Sequence, residues 1–532
     1  MVATASGTSP LPSDPVGTPV GPFPLSRGSA VAGAVACGLL YWLAFPGMDV
    51  WGLSFIAWVP LLVAMRRQTV RMATILGGIS GLAMNLTGFW WLQGMLRTFS
   101  GFSAPVCFLF VVIVCASQAG RGALFGWLYG RATARGWPHA IVVLAAFVAS
   151  EMIYPVLFTW FFAATVHRVP LLMQVADLGG PVFVGVVLLG ANLAVAEIVI
   201  ATCEKRPWSR PLVASGLGAL AASATYGAVR IHVTDKQCAE APESRVGVVQ
   251  ANMGLLEKRS QLEEGLRRHV TLSDDLIRNE HVDFLVWSET SAMRAVRDET
   301  YRRDLRSVIR SIGAPIIFGA VIVKSVPDER EYVLYNSAIS SDQDGSIRGR
   351  YDKEDLLAFG EYLPFGDSFP ILYKWSPNSG HFSKGTSLEG LGLNIQGTDH
   401  TVSAFICYED VKPGYTNDLV RHANPDLLVN LTNDAWFGDT SEPWEHLGLA
   451  QFRAVEHHRY LVRGTNSGVS AVIDPVGRIV AQTSTFRQQG IAANIRWVRS
   501  RTVYESVGDA PWYLVSLLAV IAAFRRRAIV SA

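Results

Sequence analysis

The stretch Thr401-Val-Ser-Ala-Phe-Ile-Cys-Tyr-Glu-Asp410 decides how the remainder of the chain is read. Its first six residues are a β-branched and aromatic run of strand length, ending on Cys407 with Tyr408, Glu409 and Asp410 directly behind it. Carboxyl ends of strands are where α/β folds gather their chemistry. A lone cysteine is more often a small buried hydrophobe than a nucleophile, so this thiol needs company. Two upstream segments supply it: the strand-like run 282–287 closes on Glu289, and Tyr351-Asp-Lys353 presents a lysine.

Around that core the chain alternates between two textures. Half of the 532 residues are hydrophobic and 17% are charged, with a positive mean hydropathy, which implies membrane spans. Residues 1–28, rich in Pro, Gly, Ser and Thr, read as a disordered tail, and without a basic start they do not read as a cleaved signal peptide. Apolar runs follow at 29–46, 50–65, 73–96, 104–129, 138–162, 181–203 and 211–229, and an eighth stands at 511–524. They predict a seven-helix transmembrane bundle over 29–230 and a last transmembrane helix over 511–526. The first, second and eighth are short for a span of ~20 residues.

Arg27, Arg66, Arg67, Arg71, Arg131, Arg135, Lys205, Arg206, Arg210 and Arg525 to Arg527 fall on one side if the helices alternate. By the positive-inside rule both ends are then cytoplasmic, and the domain between the seventh and eighth helices lies outside. Asn85, Arg121 and Glu151 interrupt the spans, either as glue between helices or as the lining of a cavity for a polar lipid head.

Between residues 243 and 500 the pattern is that of a soluble α/β domain. Strand-like runs at 244–250, 282–287, 315–323, 337–339, 402–406, 427–430 and 469–473 alternate with helical stretches at 258–279, 299–312 and 443–458, which implies a sheet with helices packed on it. A net charge of +2 with no basic block argues against nucleic acid as a partner. The six cysteines are scattered, with no Cys-x-x-Cys pair or Cys/His cluster, so neither a disulfide framework nor a metal is expected. No phosphate-cradling glycine loop stands out, and no cofactor is expected.

Glu289, Lys353 and Cys407 fit one chemistry. A thiol is a poor nucleophile until it loses its proton, and a carboxylate can take it. An ammonium beside them stabilises both the thiolate and the oxyanion of a tetrahedral intermediate. That is the logic of acyl transfer through a thioester, and it requires no histidine. Read singly, Glu289 is rather a helix cap or a surface carboxylate, and the charges around Lys353 and Glu361 a solvated loop.

The order Glu289, Lys353, Cys407 resembles the nitrilase, or carbon–nitrogen hydrolase, superfamily, and within it the wider motif set looks like the apolipoprotein N-acyltransferases. The motifs are Trp287-Ser-Glu289, Tyr335-Asn336, Asp352-Lys353, Phe359-Gly-Glu361-Tyr-Leu-Pro364 and Ile406-Cys-Tyr-Glu409. They continue in Thr432-Asn-Asp-Ala-Trp-Phe-Gly438, His446, Arg453-Ala454 and Arg463-Gly-Thr-Asn466-Ser-Gly-Val469. The bundle departs from the pattern at Glu151-Met-Ile-Tyr-Pro155, where the family commonly has an Arg-Gly pair after the glutamate, and at Thr159-Trp160.

The resemblance implies an α-helical membrane bundle of eight spans carrying a nitrilase-like αββα sandwich. It places the protein in a bacterial inner (cytoplasmic) membrane with the catalytic domain periplasmic. It makes Glu289 the general base, Lys353 the oxyanion stabiliser and Cys407 the nucleophile. Glu361 would support the triad, Tyr408 and Glu409 would shape the nucleophile's surroundings, and Asn336, Trp436 and Phe437 would line the substrate site. The implied reaction moves an acyl chain from a phospholipid, phosphatidylethanolamine, to the α-amine of a diacylglyceryl-cysteine at the N-terminus of an apolipoprotein. A monomer would suffice. Apolar flaps at 356–359 and 364–365 are expected to cover the site. The alternatives are a membrane-bound amidase with the same triad and a non-enzymatic eight-helix scaffold or transporter.

Overall fold

A computed structural model of the chain describes residues 23–254, 257–292, 294–325, 332–357, 360–363, 366, 368–369, 371–375 and 380–527. Each of the eight apolar runs contains helix, but they are unequal. Arg27–Ala44, Ala104–Thr133, Ala176–Cys203 and Arg210–Glu240 are long and apolar enough to cross a membrane. A fifth joins them if Val70–Gly88 and the helix that leaves it at 58° form one span. Trp51–Ala64, His139–Ile153 and Ala510–Phe524 are shorter apolar helices.

Local chemistry explains where the expected runs differ. The run 73–96 divides at Phe89-Trp90-Trp91 into Val70–Gly88 and Leu92–Ser100. The run 138–162 stays helical only to Ile153, because Pro155 disfavours helix at the residue before it. The run 211–229 continues as helix to Glu240 and takes in Cys238. Of the expected tail, residues 1–22 lie outside the described residues. The first helix begins at Arg27, capped by Ser26, whose hydroxyl accepts the Ser29 N–H at 3.3 Å.

Val70–Gly88 and Ala104–Thr133 pack backbone to backbone. A Cβ on Gly77 would lie 2.1 Å from the Gly122 carbonyl oxygen, the close approach that small residues permit between helices in lipid. Basic residues gather at one end of the bundle. There Arg66 and Arg67 pair with Glu204, Arg206 pairs with Glu197 and Glu204, and the Trp137 indole donates to the Arg525 carbonyl. The α/β domain rests on the other end. His167 links Asp49, at 2.7 Å, to Gln451, at 2.8 Å, and Asp177 accepts from Tyr226 and Arg230 and meets His458 at 2.9 Å.

In the α/β domain the strands are β1 (Glu243–Gln250), β2 (Phe284–Val286), β3 (Val296–Arg297), β4 (Ile316–Ser325), β5 (Tyr332–Ser341) and β6 (Ile347–Asp352). They continue with β7 (Leu391–Ile395), β8 (Thr398–Ile406), β9 (Leu427–Thr432), β10 (Leu461–Thr465), β11 (Ala471–Ile473), β12 (Ile479–Gln482) and β13 (Gln489–Arg496). One mixed sheet runs β13-β1-β2-β4-β5-β6 with β3 on β4, and a second runs β12-β11-β10-β9-β8-β7. Strands β8, β9 and β10 are parallel, and β9 and β10 are buried along their whole length, as in strands covered on both faces.

The sheets face each other, β1 against β10 and β5 against β7 and β8. Leu262–Glu280 covers the first sheet, and Pro413–Ala423 and Glu442–His457 cover the second. The result is a helix–sheet–sheet–helix stack. Glu442–His457 also packs on Ala176–Cys203, so a helix that would face solvent in a soluble domain is buried here beneath the bundle.

Candidate active site

Three strand ends deliver the side chains that the sequence singled out. At the end of β8, Cys407 has φ +54°, a conformation costly to a residue with a Cβ, and opens the short turn Cys407–Val411. Glu409 ties that turn down. Its Oε2 accepts the Ile406 N–H at 2.7 Å, and its Oε1 accepts the Tyr351 hydroxyl at 2.8 Å and the N–H groups of Glu354 and Asp355 at 2.9 and 3.0 Å. One buried carboxylate therefore joins the thiol's turn to the segment bearing Lys353. Burial pushes Glu409 up to about 7, even though Lys353 and these donors favour its charged form.

Glu289 follows β2 where the backbone runs close over β4. A Cβ on Gly319 would sit 2.3 Å from the Thr290 nitrogen and 2.8 Å from the Glu289 Cα, so only glycine fits there. Asn336 on β5 stands between two carboxylates, its Nδ2 donating to Glu289 Oε1 at 2.6 Å and to Glu361 Oε1 at 2.8 Å. Glu361 Oε2 in turn meets Lys353 Nζ at 2.7 Å and accepts the Leu357 N–H at 2.8 Å. Lys353, one residue past β6, is 1% exposed.

The charges act on one another directly. Burial works to lower the Lys353 pKa, but Glu361, Cys407, Glu289 and Glu409 outweigh it and hold the ammonium above its ordinary value. Burial drives the Cys407 thiol well above its ordinary range. Lys353 and the Thr432 hydroxyl oppose that rise, and Glu289 and Glu361 add to it. The resting thiol is thus protonated and depends on a base to become a nucleophile.

Glu289, Lys353, Cys407, Glu361 and Glu409 are all brought together. Asn336, expected to line the substrate, has its amide donor engaged by the two carboxylates. Tyr408 and Phe437 face the bundle: Tyr408 lies 5.9 Å from Phe158, Phe437 lies 5.0 Å from Trp91, and the two lie 6.3 Å apart, ring to ring. Trp436 is partly buried against the same core. Within the expected flaps, Ala358, Phe359, Pro364 and Phe365 lie outside the described residues.

A second buried cluster adjoins the turn. His446 Nε2 lies 2.8 Å from Asp410 Oδ1 and its Nδ1 3.2 Å from Asp434 Oδ1. Arg463 donates to Asp410 at 2.9 Å, Asn430 at 2.7 Å and Asp434 at 3.1 Å, and Asn430 donates to the Cys407 carbonyl at 3.1 Å. Burial raises the Asp434 carboxyl, but Arg463 and His446 more than offset it and hold it below its ordinary value. Asp434, Glu442 and His446 bring donor atoms within 4.8 Å of one another; the positive partner they already have is the guanidinium. Thr432, Tyr351, Asp410 and Arg463 were not singled out from sequence, although each lies in or beside a motif that was.

Comparison with known proteins identifies the family. The carbon-nitrogen hydrolase family matches residues 245–503, and the apolipoprotein N-acyltransferase N-terminal domain matches residues 37–194. An apolipoprotein N-acyltransferase of Geobacter metallireducens is 30% identical over 508 residues, covering 93% of this chain and 95% of its own length. The chain belongs to the apolipoprotein N-acyltransferase family. Family members from Bdellovibrio bacteriovorus and Pseudomonas syringae pv. tomato are 27% and 28% identical, covering 92% and 91% of this chain and 92% and 94% of their own. Among solved structures, an amidase from Nesterenkonia sp. aligns with 51% of this N-acyltransferase family member and 95% of itself, at 17% identity and a TM-score of 0.35.

Proposed function

We propose that the chain is a phospholipid:apolipoprotein N-acyltransferase acting through a thioester on Cys407. One observation supports this reading above the others. A buried thiol, ammonium and carboxylate pair act on one another at strand ends, and Tyr408, directly after the thiol, packs with Phe437 against a membrane bundle. A hydrolase of small amides gains nothing from such a bundle; two lipid-anchored substrates require it.

In the first step Glu289 takes the Cys407 proton and the thiolate attacks the acyl ester carbonyl of the phospholipid. Lys353 stabilises the oxyanion. The ester C–O bond then breaks, Glu289 returns the proton to the leaving alcohol, and a lysophospholipid departs. In the second step the α-amine of a diacylglyceryl-cysteine attacks the thioester and gives its proton to Glu289. The C–S bond breaks, leaving an amide and a thiolate that regains the proton. Glu361 and Asn336 hold Lys353 and Glu289 in register, and Tyr408, Trp436 and Phe437 form the apolar side of the site.

Eight spans, with the α/β domain on the periplasmic face of the inner membrane, complete the proposal. The gathering of basic residues at the end of the bundle away from that domain supports the orientation. The acceptor decides between this reading and a membrane-bound amidase. Purified protein loaded with phospholipid alone should hold a hydroxylamine-sensitive acyl adduct that turns over only when a diacylglyceryl-cysteine peptide is added, yielding the amide. Rapid release of free fatty acid to water, without acceptor, would favour the amidase.

A further inference from the structure

Segment 154–161 is an irregular stretch of backbone inside an apolar bundle, where unbonded N–H and C=O groups are costly. Side chains from two helices, Ala104–Thr133 and His139–Ile153, bond it and the residue that follows it. Gln118 Oε1 accepts the Phe158 N–H at 2.8 Å, Arg121 Nη1 donates to the Trp160 carbonyl at 2.8 Å, and Glu151 Oε1 accepts the Phe162 N–H at 3.2 Å. Arg121 and Glu151 pair at 3.0 Å, Gln118 Nε2 donates to Asn85 Oδ1 at 3.1 Å, and Tyr154 donates to the Ser117 carbonyl at 2.6 Å. The cavity among these residues is about 50 Å³, room for about one or two waters and not for a phospholipid head. The polar groups are therefore directed at the backbone of this segment.

What the segment holds out is Phe158. Its ring meets Phe89 at 6.0 Å, Trp91 at 5.2 Å and Tyr408 at 5.9 Å, and Tyr408 directly follows the nucleophile. We propose that Gln118, Arg121 and Glu151 are positioning residues, which hold segment 154–161 so that Phe158 backs Tyr408 and keeps the Cys407 turn in its strained geometry. Polar groups within the membrane thus set the aim of a thiol outside it. The proposal rests on the Cys407 thioester reading.

The test is a double-mutant cycle on purified protein in detergent with phosphatidylethanolamine as donor. Its readouts are the rate of acyl-adduct formation per folded molecule, by intact mass, and the thermal midpoint. Gln118→Leu and Phe158→Leu should each slow adduct formation at least about ten-fold, and the double variant should be no slower than the slower single one. Gln118→Glu, which keeps the oxygen facing the Phe158 N–H, should recover most of the rate. Unchanged rates per folded molecule, with only the midpoint lowered, would overturn the proposal, as would losses that multiply in the double variant. If Gln118→Leu does not fold, Phe158→Leu alone decides by the same criterion. A wild-type protein that forms no adduct overturns instead the thioester reading beneath it.

Discussion

Two buried charge clusters adjoin the Cys407 turn, and they differ in balance. In the Asp410–Asp434–His446–Arg463 cluster, the guanidinium and imidazole bond both aspartates, and Arg463 reaches Asn430, which holds the Cys407 carbonyl. In the Lys353 cluster a single ammonium serves Glu361 by contact while also facing Glu289, Glu409 and the thiol. The first is closed and fixes the turn. The second has more acceptors than cations, so a proton has somewhere to go. Burial alone therefore does not mark the chemistry; an unbalanced proton inventory does.

The sharpest way to break this contrast is Arg463→Met. It leaves Asp410 and Asp434 buried without their cation, and should cost about 3–5 kcal/mol of stability, seen as a lowered thermal midpoint in detergent. Lys353→Met should act the other way round. Adduct formation should fall about 10²–10³-fold, with the protein still folded because Glu289 and Glu361 can take up protons.

Acid should separate rate from stability at Glu409, whose carboxyl stands at about 7 against an ordinary value near 4.3. Its charged form accepts four hydrogen bonds from the turn and its neighbours, so the acylation rate should fall as pH drops through about 7. Stability should move oppositely: the folded chain binds this proton more tightly than the unfolded one, so the group costs stability above pH 7 and less as pH falls toward its ordinary value. Rate and midpoint profiles over pH 5–8 check both signs. The smallest effect belongs to Glu442. Burial, Asp434 and Glu445 push its carboxyl well above the usual range, which favours its neutral form. Glu442→Gln, which keeps an oxygen for the Tyr408 hydroxyl, should shift stability by no more than about 1 kcal/mol and leave the acylation rate unchanged; a large loss would mean that a charge sits there.

Glu289 and Cys407 stood out as candidates because each follows a β-branched or apolar run, whereas Lys353 follows a polar strand and was picked out by the motifs around it. The edge strands were not legible. β6, Ile347-Arg-Gly-Arg-Tyr-Asp352, and β13, Gln489-Gly-Ile-Ala-Ala-Asn-Ile-Arg496, carry polar residues and glycine that pairing with β5 and β1 overrides. Of the polar residues in the apolar runs, Asn85, Arg121 and Glu151 were visible and Gln118 was not. Whether Gln118 bonds a helix or a distant loop depends on where Pro155 sends the chain, a tertiary outcome that periodicity does not encode. The third run bends at the aromatic turn 89–91 and the fifth leaves its helix before Pro155, for the same reason.

The central claim is tested most directly by intact and peptide-level mass spectrometry after incubation with phosphatidylethanolamine. A gain of one acyl chain that maps to Cys407, is released by hydroxylamine and is absent from Cys407→Ser as a hydroxylamine-sensitive species is the predicted result. An undiminished hydroxylamine-sensitive adduct on Cys407→Ser, or acyl transfer to the acceptor with Cys407 never acylated, would contradict it.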